Sequence, residues 1–219
     1  MATPPVPLIE PALKRAVVFV DGQNLFYAAK EAFGYQYPNY DILKLAQLVC
    51  KSKAWNLVKT RFYTGVPDLG DDPMKNWFWS AKLAAMGRQG IVVYSRALRY
   101  RNKTVKMPNG TTHSFLYGEG KGIDVRIALD VIGMAVRNEY DVAVVFSQDQ
   151  DLSEVADEIR VIARQQGRWI RIACAYPLSP TRRNSRGING TDWIGIDRKL
   201  YDYCIDPKDY RPPKPAKQP

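Results

Sequence analysis

Histidine is nearly absent: His113 stands alone in 219 residues. That excludes a multi-histidine zinc site and any metal cluster built on imidazole. Cysteine is scarce and odd in number (Cys50, Cys174, Cys204), with no C-x-x-C spacing. No disulfide framework is expected, and the thiols read as reduced and mostly buried, as in a cytosolic protein. Long apolar runs are missing too. Ala16–Val20 and Val142–Phe146 reach about five residues, far short of the roughly 20 that span a bilayer. The opening MATPPVPLIE has neither an apolar core nor a basic leader, so no secretory signal is expected there. Acids are the minority charge, 22 against 32 Lys plus Arg, for a net +10. If metal chemistry occurs, it falls to oxygen ligands, which favours Mg²⁺ or Mn²⁺.

What is present is ordinary globular composition, 46% hydrophobic and 25% charged, with the basic excess unevenly spread. From Arg96 to Gly118 there is no acid, while Arg96, Arg99, Arg101, Lys103 and Lys106 alternate with Tyr94 and Tyr100. A second acid-free stretch, Arg160 to Gly190, includes Arg182 and Arg183. Basic residues interleaved with aromatics suit phosphate contact plus base stacking. Residues 1–14 and 206–219 are proline-rich and polar, and are expected to be tails or wrapping segments.

Between the tails, short β-branched runs alternate with helical spacing. Strands are expected at Ala16–Val20, Leu57–Tyr63, Ile91–Tyr94, Val142–Phe146 and Trp169–Ala175, with helices between them. Pro108-Asn109-Gly110, between two strand-like runs, signals a hairpin over about 96–117. The βα alternation predicts one three-layer α/β domain over 15–205, Rossmann-like, with a mostly parallel sheet and a β-hairpin insertion.

In such sheets the ligand site lies outside the carboxyl ends of the strands. Asp21 follows the first run, in VVFVDGQN. Ser147, Asp149 and Asp151 follow the fourth, in VVFSQDQD. Glu119 and Asp124 stand at the head of the helix opening in GEGKGID. Three segments thus deliver carboxylates to one edge, and crowded carboxylates repel unless a divalent cation neutralises them. Each acid has a plainer role available, as a turn or helix cap, but their coincidence favours a Mg²⁺ or Mn²⁺ site. Asn24 and Ser147 could accept phosphate oxygens or orient water, although Asn24 could simply stabilise its turn. Asp130 should face elsewhere and be structural, and His113 belongs to the hairpin surface. The G-x-G-x-G of Gly118, Gly120 and Gly122 follows the hairpin, not the first strand, so a dinucleotide site is rejected.

VVFVDGQNLF, GEGKGIDVRIALDVI and VVFSQDQDLSEVADEI, in that order over about 15–175, resemble the NYN domain branch of the PIN-like ribonucleases. The resemblance implies a PIN-like fold and metal-dependent cleavage of RNA. It assigns the metal and the chemistry to Asp21, Asp124 and Asp149, with Asp151 as a further catalytic acid and Asn24, Lys121 and Ser147 in support; Glu119, just before the helix head, is taken as a supporting acid from its position alone. Gln148 stands where the family often has glycine. The expectation is a cytoplasmic Mg²⁺- or Mn²⁺-dependent endoribonuclease whose partner is RNA, with no membrane and with homodimer formation left open. A non-catalytic RNA-binding or regulatory module and a structure-specific DNA nuclease are the alternatives.

Overall fold

The structure, a computed structural model, describes residues 8–107, 110–119, 122–180 and 185–212, with 99–103 and 115–119 described by backbone alone. Strand β1 (Lys14–Asp21) is followed by α1 (Gly22–Phe33), α2 (Ile42–Ser52), β2 (Trp55–Val66), α3 (Pro73–Arg88) and β3 (Val92–Ala97). Then come β4 (Arg99–Lys106), β5 (Thr112–Glu119), α4 (Ile123–Val136), β6 (Val142–Phe146), α5 (Ser153–Gln165), β7 (Arg171–Pro177), β8 (Asp192–Ile196) and α6 (Arg198–Tyr203).

The main sheet runs β3-β2-β1-β6-β7-β8, and every neighbouring pair is parallel. The first three strands wind one way from β1 and the last three the other way from β6. The order therefore reverses between β1 and β6, where a doubly wound sheet opens its binding crevice.

β1 explains the layering. Its continuous apolar run is buried on both faces, as central parallel strands are. Ala16, Val18 and Val20 pack with α1, α2, α3 and α6, while Val17 and Phe19 pack with α4 and α5. Four of the helices, α1, α2, α3 and α6, start on aspartate caps. Asp41 accepts from the Lys44 N–H at 3.0 Å, Asp72 from Lys75 at 2.9 Å just ahead of Pro73, and Asp197 from Leu200 at 2.7 Å. Each satisfies an orphan amide of a first turn.

β4 and β5 form a separate antiparallel hairpin, with Arg101 opposite Tyr117 and Lys106 opposite Thr112. It begins later than the expected 96 and ends later than 117, and Arg96 belongs to β3. β8 and α6 were not foreseen as elements. All three cysteines are free and buried. Among the described residues, no helix is long and apolar enough to cross a membrane.

Candidate active site

β1 ends in Asp21, whose residue surface is only 8% exposed. Its Oδ1 accepts from the Gln23 N–H at 3.1 Å and the Asn24 N–H at 3.0 Å, which caps α1. The glycine after it is dictated by packing: a Cβ on Gly22 would lie 2.3 Å from the Phe62 ring. The strand thus turns directly into a helix and holds the carboxylate at the sheet edge.

Next to it, β6 ends in Phe146 and passes into Ser147, Gln148 and Asp149. Asn24 latches this loop, its Oδ1 accepting from the Gln148 N–H at 2.9 Å. Buried Ser147 accepts from the Asp149 N–H through Oγ at 3.2 Å, and its carbonyl receives the Cys174 thiol at 2.9 Å. Burial pushes that thiol up to about 12, so Cys174 is a packing group, not a nucleophile. Asn24 and Ser147 are therefore occupied in holding the Asp149 loop against the end of β1.

Asp149 caps a 3₁₀ turn over Gln150–Leu152, its Oδ1 accepting from the Asp151 N–H at 3.1 Å. Asp151 is exposed on that turn. The third carboxylate, Asp124, sits in the first turn of α4. That helix opens after Gly122, whose φ of 80° is left-handed backbone that glycine accepts without strain.

Asp21, Asp124 and Asp149 share one electrostatic field. Burial pushes the Asp21 carboxyl up to about 6, and the negative charges of Asp149 and Asp124 add to the rise against the two backbone N–H donors. Among the described residues, no three Asp, Glu, His or Cys side chains lie close enough to grip a metal together. Mg²⁺ usually keeps several waters and takes one or two carboxylates directly. The all-oxygen donor set matches a hard cation in chemistry, with water filling the positions that the carboxylates do not reach.

The basic residues divide. Arg96 reaches the head of α4, where its Nη1 lies 2.7 Å from the place a Gly122 Cβ would occupy, and its Nε donates to Tyr94 Oη at 2.6 Å. Arg99, Arg101 and Lys103 lie on β4, exposed Lys106 ends it, and Glu119 ends β5 opposite Arg99. Since β3 runs parallel to β1, the hairpin leaves the sheet at the same edge as Asp21. Lys121, Arg182 and Arg183 lie outside the described residues.

In the second basic stretch, Arg168 is architectural: it donates to the Tyr140 carbonyl at 2.6 Å and the Ala135 carbonyl at 3.0 Å. Asp130 gathers Arg61, Tyr63 and Arg126 at 2.8–3.1 Å. Burial alone would raise its pKa, but those hydrogen bonds and the Arg61 charge hold it below the ordinary value. The latches from the β7–β8 connection were missed in the sequence: the Arg186 and Gly187 carbonyls accept from Gln148 Nε2 and Gln150 Nε2 at 2.6 and 3.0 Å. Backbone acceptors carry no residue-type signal, so nothing in the chain announced them.

Residues 15–176 match the NYN domain family. No curated protein matches the sequence. Among solved structures, a protein of unknown function from Vibrio parahaemolyticus RIMD 2210633 is similar with a TM-score of 0.50 and 17% identity, over 87% of this chain and 98% of that one. At that identity the likeness is one of fold. The ribokinase of Giardia lamblia reaches a TM-score of 0.37 at 13% identity, over 79% of this chain and 53% of that one, too little to carry an argument.

Proposed function

The chain belongs to the NYN domain family, in the PIN-like nuclease superfamily, and from that premise we propose that it is a cytoplasmic endoribonuclease dependent on Mg²⁺ or Mn²⁺. One observation supports the reading: at the end of β1, where the strand order reverses, burial together with the negative charges of Asp149 and Asp124 pushes the Asp21 carboxyl up to about 6. These three would hold the cation, with Asp151 as a further acid beside Asp149.

When bound, the cation would supply Lewis acidity toward a phosphoryl oxygen and lower the pKa of the attacking water. The chain's own groups do the rest. The backbone N–H groups of Gln23 and Asn24 fix the Asp21 carboxylate, and Asn24 and Ser147 fix the Asp149 loop. Water attacks phosphorus in line with the leaving ribose oxygen and gives up a proton to solvent as its own P–O bond forms; the P–O bond to the ribose breaks, and that oxygen takes up a proton. Arg96, beside Gly122, and the hairpin cations would offset the charge that builds on the phosphoryl oxygens.

The rival, a non-catalytic RNA-binding module, draws on the absence of a close carboxylate trio among the described residues. Incubation of matched single-stranded RNA and DNA with Mn²⁺, Mg²⁺ or chelator separates them. Metal-dependent RNA cleavage lost in Asp149→Asn supports the proposal. Binding with no cleavage under any metal supports the module, and preferential DNA cleavage transfers the activity to deoxyribose.

A further inference from the structure

A cleft of about 580 Å³ opens beside Asp21, between α1, the carboxyl end of β2 and the start of α3. Its size falls within the roughly 300–1,000 Å³ of ligand-binding clefts. One wall is a helical stripe, Gln23, Phe26, Tyr27 and Lys30, at offsets of 0, 3, 4 and 7 that bring side chains to one face. The stripe begins at the residue whose N–H donates to Asp21 and runs about 10 Å along the helix.

Buried Phe78 and Trp79 line the cleft from α3. Opposite, Arg211 lies over the Tyr37 ring at 4.4 Å. The segment 206–211 is held there by Tyr210, which is buried edge-on to Phe78, and by buried Lys82, whose Nζ donates to the Tyr40 carbonyl at 2.9 Å and pairs with Asp206 at 3.3 Å. The described lining residues include three cations, Lys30, Lys75 and Arg211, and no acid; Lys75 pairs with Asp72 at 2.7 Å and Arg211 with Asp209 at 2.6 Å, so the rim's net positive charge is carried mainly by Lys30. Tyr27 is 52% exposed.

Aromatic faces, a cationic rim and side-chain amides are the chemistry that receives an unstacked base with its phosphate. A base inside a duplex keeps its faces covered and cannot enter. We infer that this cleft seats a nucleobase of single-stranded RNA, next to the nucleotide held at Asp21. The inference rests on the nuclease reading for the identity of the strand, and it makes the substrate single-stranded on the α1 side of the site.

The test is binding of a labelled short single-stranded RNA to the full chain in chelator, followed by fluorescence anisotropy. Tyr27→Ala should raise Kd about tenfold, within the roughly 5- to 150-fold expected for losing one stacked base, while Tyr27→Phe should stay near wild type. Lys30→Glu, which leaves the aromatic surface in place, should also weaken binding, more so at low salt. An abasic nucleotide at the seated position should weaken wild type but not Tyr27→Ala. Equal affinities for wild type, Tyr27→Ala and Lys30→Glu overturn the inference, as does a fully paired duplex that competes as well as the single strand. If the cleft variants behave as expected but no metal elicits cleavage, the nuclease reading fails alone. If the wild type cleaves while the variants move neither Kd nor KM, the cleft inference fails alone.

Discussion

Two aspartates stand at opposite ends of the β1–β6 pair in opposite surroundings. At the amino end, Asp141 precedes β6 and receives the Arg15 backbone N–H at 2.9 Å and its guanidinium at 3.0–3.1 Å, with Arg168 at 3.4 Å. Burial alone would raise its pKa, but the Arg15 hydrogen bonds and the Arg15 and Arg168 charges outweigh it and hold it low. At the carboxyl end, Asp21 is pushed up to about 6 by burial, with Asp149 and Asp124 adding to the rise. The first carboxylate has its countercharge built into the fold and serves as a clamp. The second is left in an environment that favours a proton or a cation, and such imbalance marks functional sites.

The largest way to break that contrast is catalytic. Asp21→Asn and Asp149→Asn should each cost at least about 100-fold in the initial rate of RNA cleavage with Mn²⁺. Asp141→Asn, assayed well below its melting temperature, should stay within a few-fold of wild type. A folded Asp141→Asn as inactive as Asp21→Asn would remove the division of labour between the two edges.

Next in size is stability, where the same pair should move in opposite directions. Asp141→Asn should destabilise by about 2–3 kcal/mol, having removed charge-assisted hydrogen bonds from a buried cluster, and lower Tm by roughly 4–12 °C. Asp21→Asn keeps an oxygen to cap α1 but removes a charge that is costly to bury. A rise from 3.8 to about 6 corresponds to a penalty on the order of 3 kcal/mol at neutral pH. The variant should therefore melt higher than wild type in chelator at pH 7. Between about pH 4 and 6 the folded state binds more protons at Asp21 than the unfolded state does. Its contribution to stability consequently falls as pH rises through that window and is at its worst above 6. Asp141 has the opposite sign: its contribution is present above the unfolded value and is lost as pH falls through the lower folded one. Melts from pH 4 to 8 on both variants check this. An Asp21→Asn curve parallel to wild type would show that Asp21 carries no penalty.

That contrast was only half visible in the chain. β1 and β6 are compact apolar runs, so their ends, and with them Asp21 and Asp149, could be located from sequence. Asp124 followed from the helix after Gly122. β8 escaped because Asp192–Ile196 is short and includes the exposed Trp193, leaving too little apolar pattern to read. α6, six residues on an Asp197 cap, has less than two turns of periodicity. The double role of Asn24 escaped for another reason: its partner, the Gln148 N–H, is 124 positions away, and a side chain bonded to a distant amide leaves no local spacing. The Asp130 cluster was partly legible, because Arg126 and Asp130 stand four apart on α4.

Metal should act on one edge only. At 100 times its dissociation constant, Mn²⁺ binding to the folded state adds about 2.7 kcal/mol, a rise in Tm of roughly 5–11 °C over chelator. Asp124→Asn should show a much smaller rise, whereas Asp141→Asn should keep the full one from its lower baseline. Equal wild-type melting temperatures with Mn²⁺ and with chelator would leave the carboxyl edge without its expected countercharge and favour the non-catalytic module.

The smallest effect concerns how the carboxyl edge gathers its polyanion. The β4–β5 hairpin is a sheet of its own, and Arg99 and Arg101 sit on its first strand two residues apart, the spacing that puts both on one face. Arg96 anchors the hairpin's base, against Gly122 at the head of the helix that presents Asp124. Replacing Arg96, Arg99 and Arg101 with alanine withdraws up to three cations from the RNA phosphates without touching a carboxylate. For a single strand, every phosphate left without its cation should flatten the slope of log K against log salt by about 0.7. The triple variant should therefore bind RNA more weakly at low salt and approach wild type as salt rises, with the metal-induced rise in Tm unchanged. An unchanged slope would make the hairpin a solvated face and leave recognition to the cleft beside α1. A vanished metal response would instead mean that Arg96 helps hold the head of α4, so that the cationic surface and the acidic site are one structural unit.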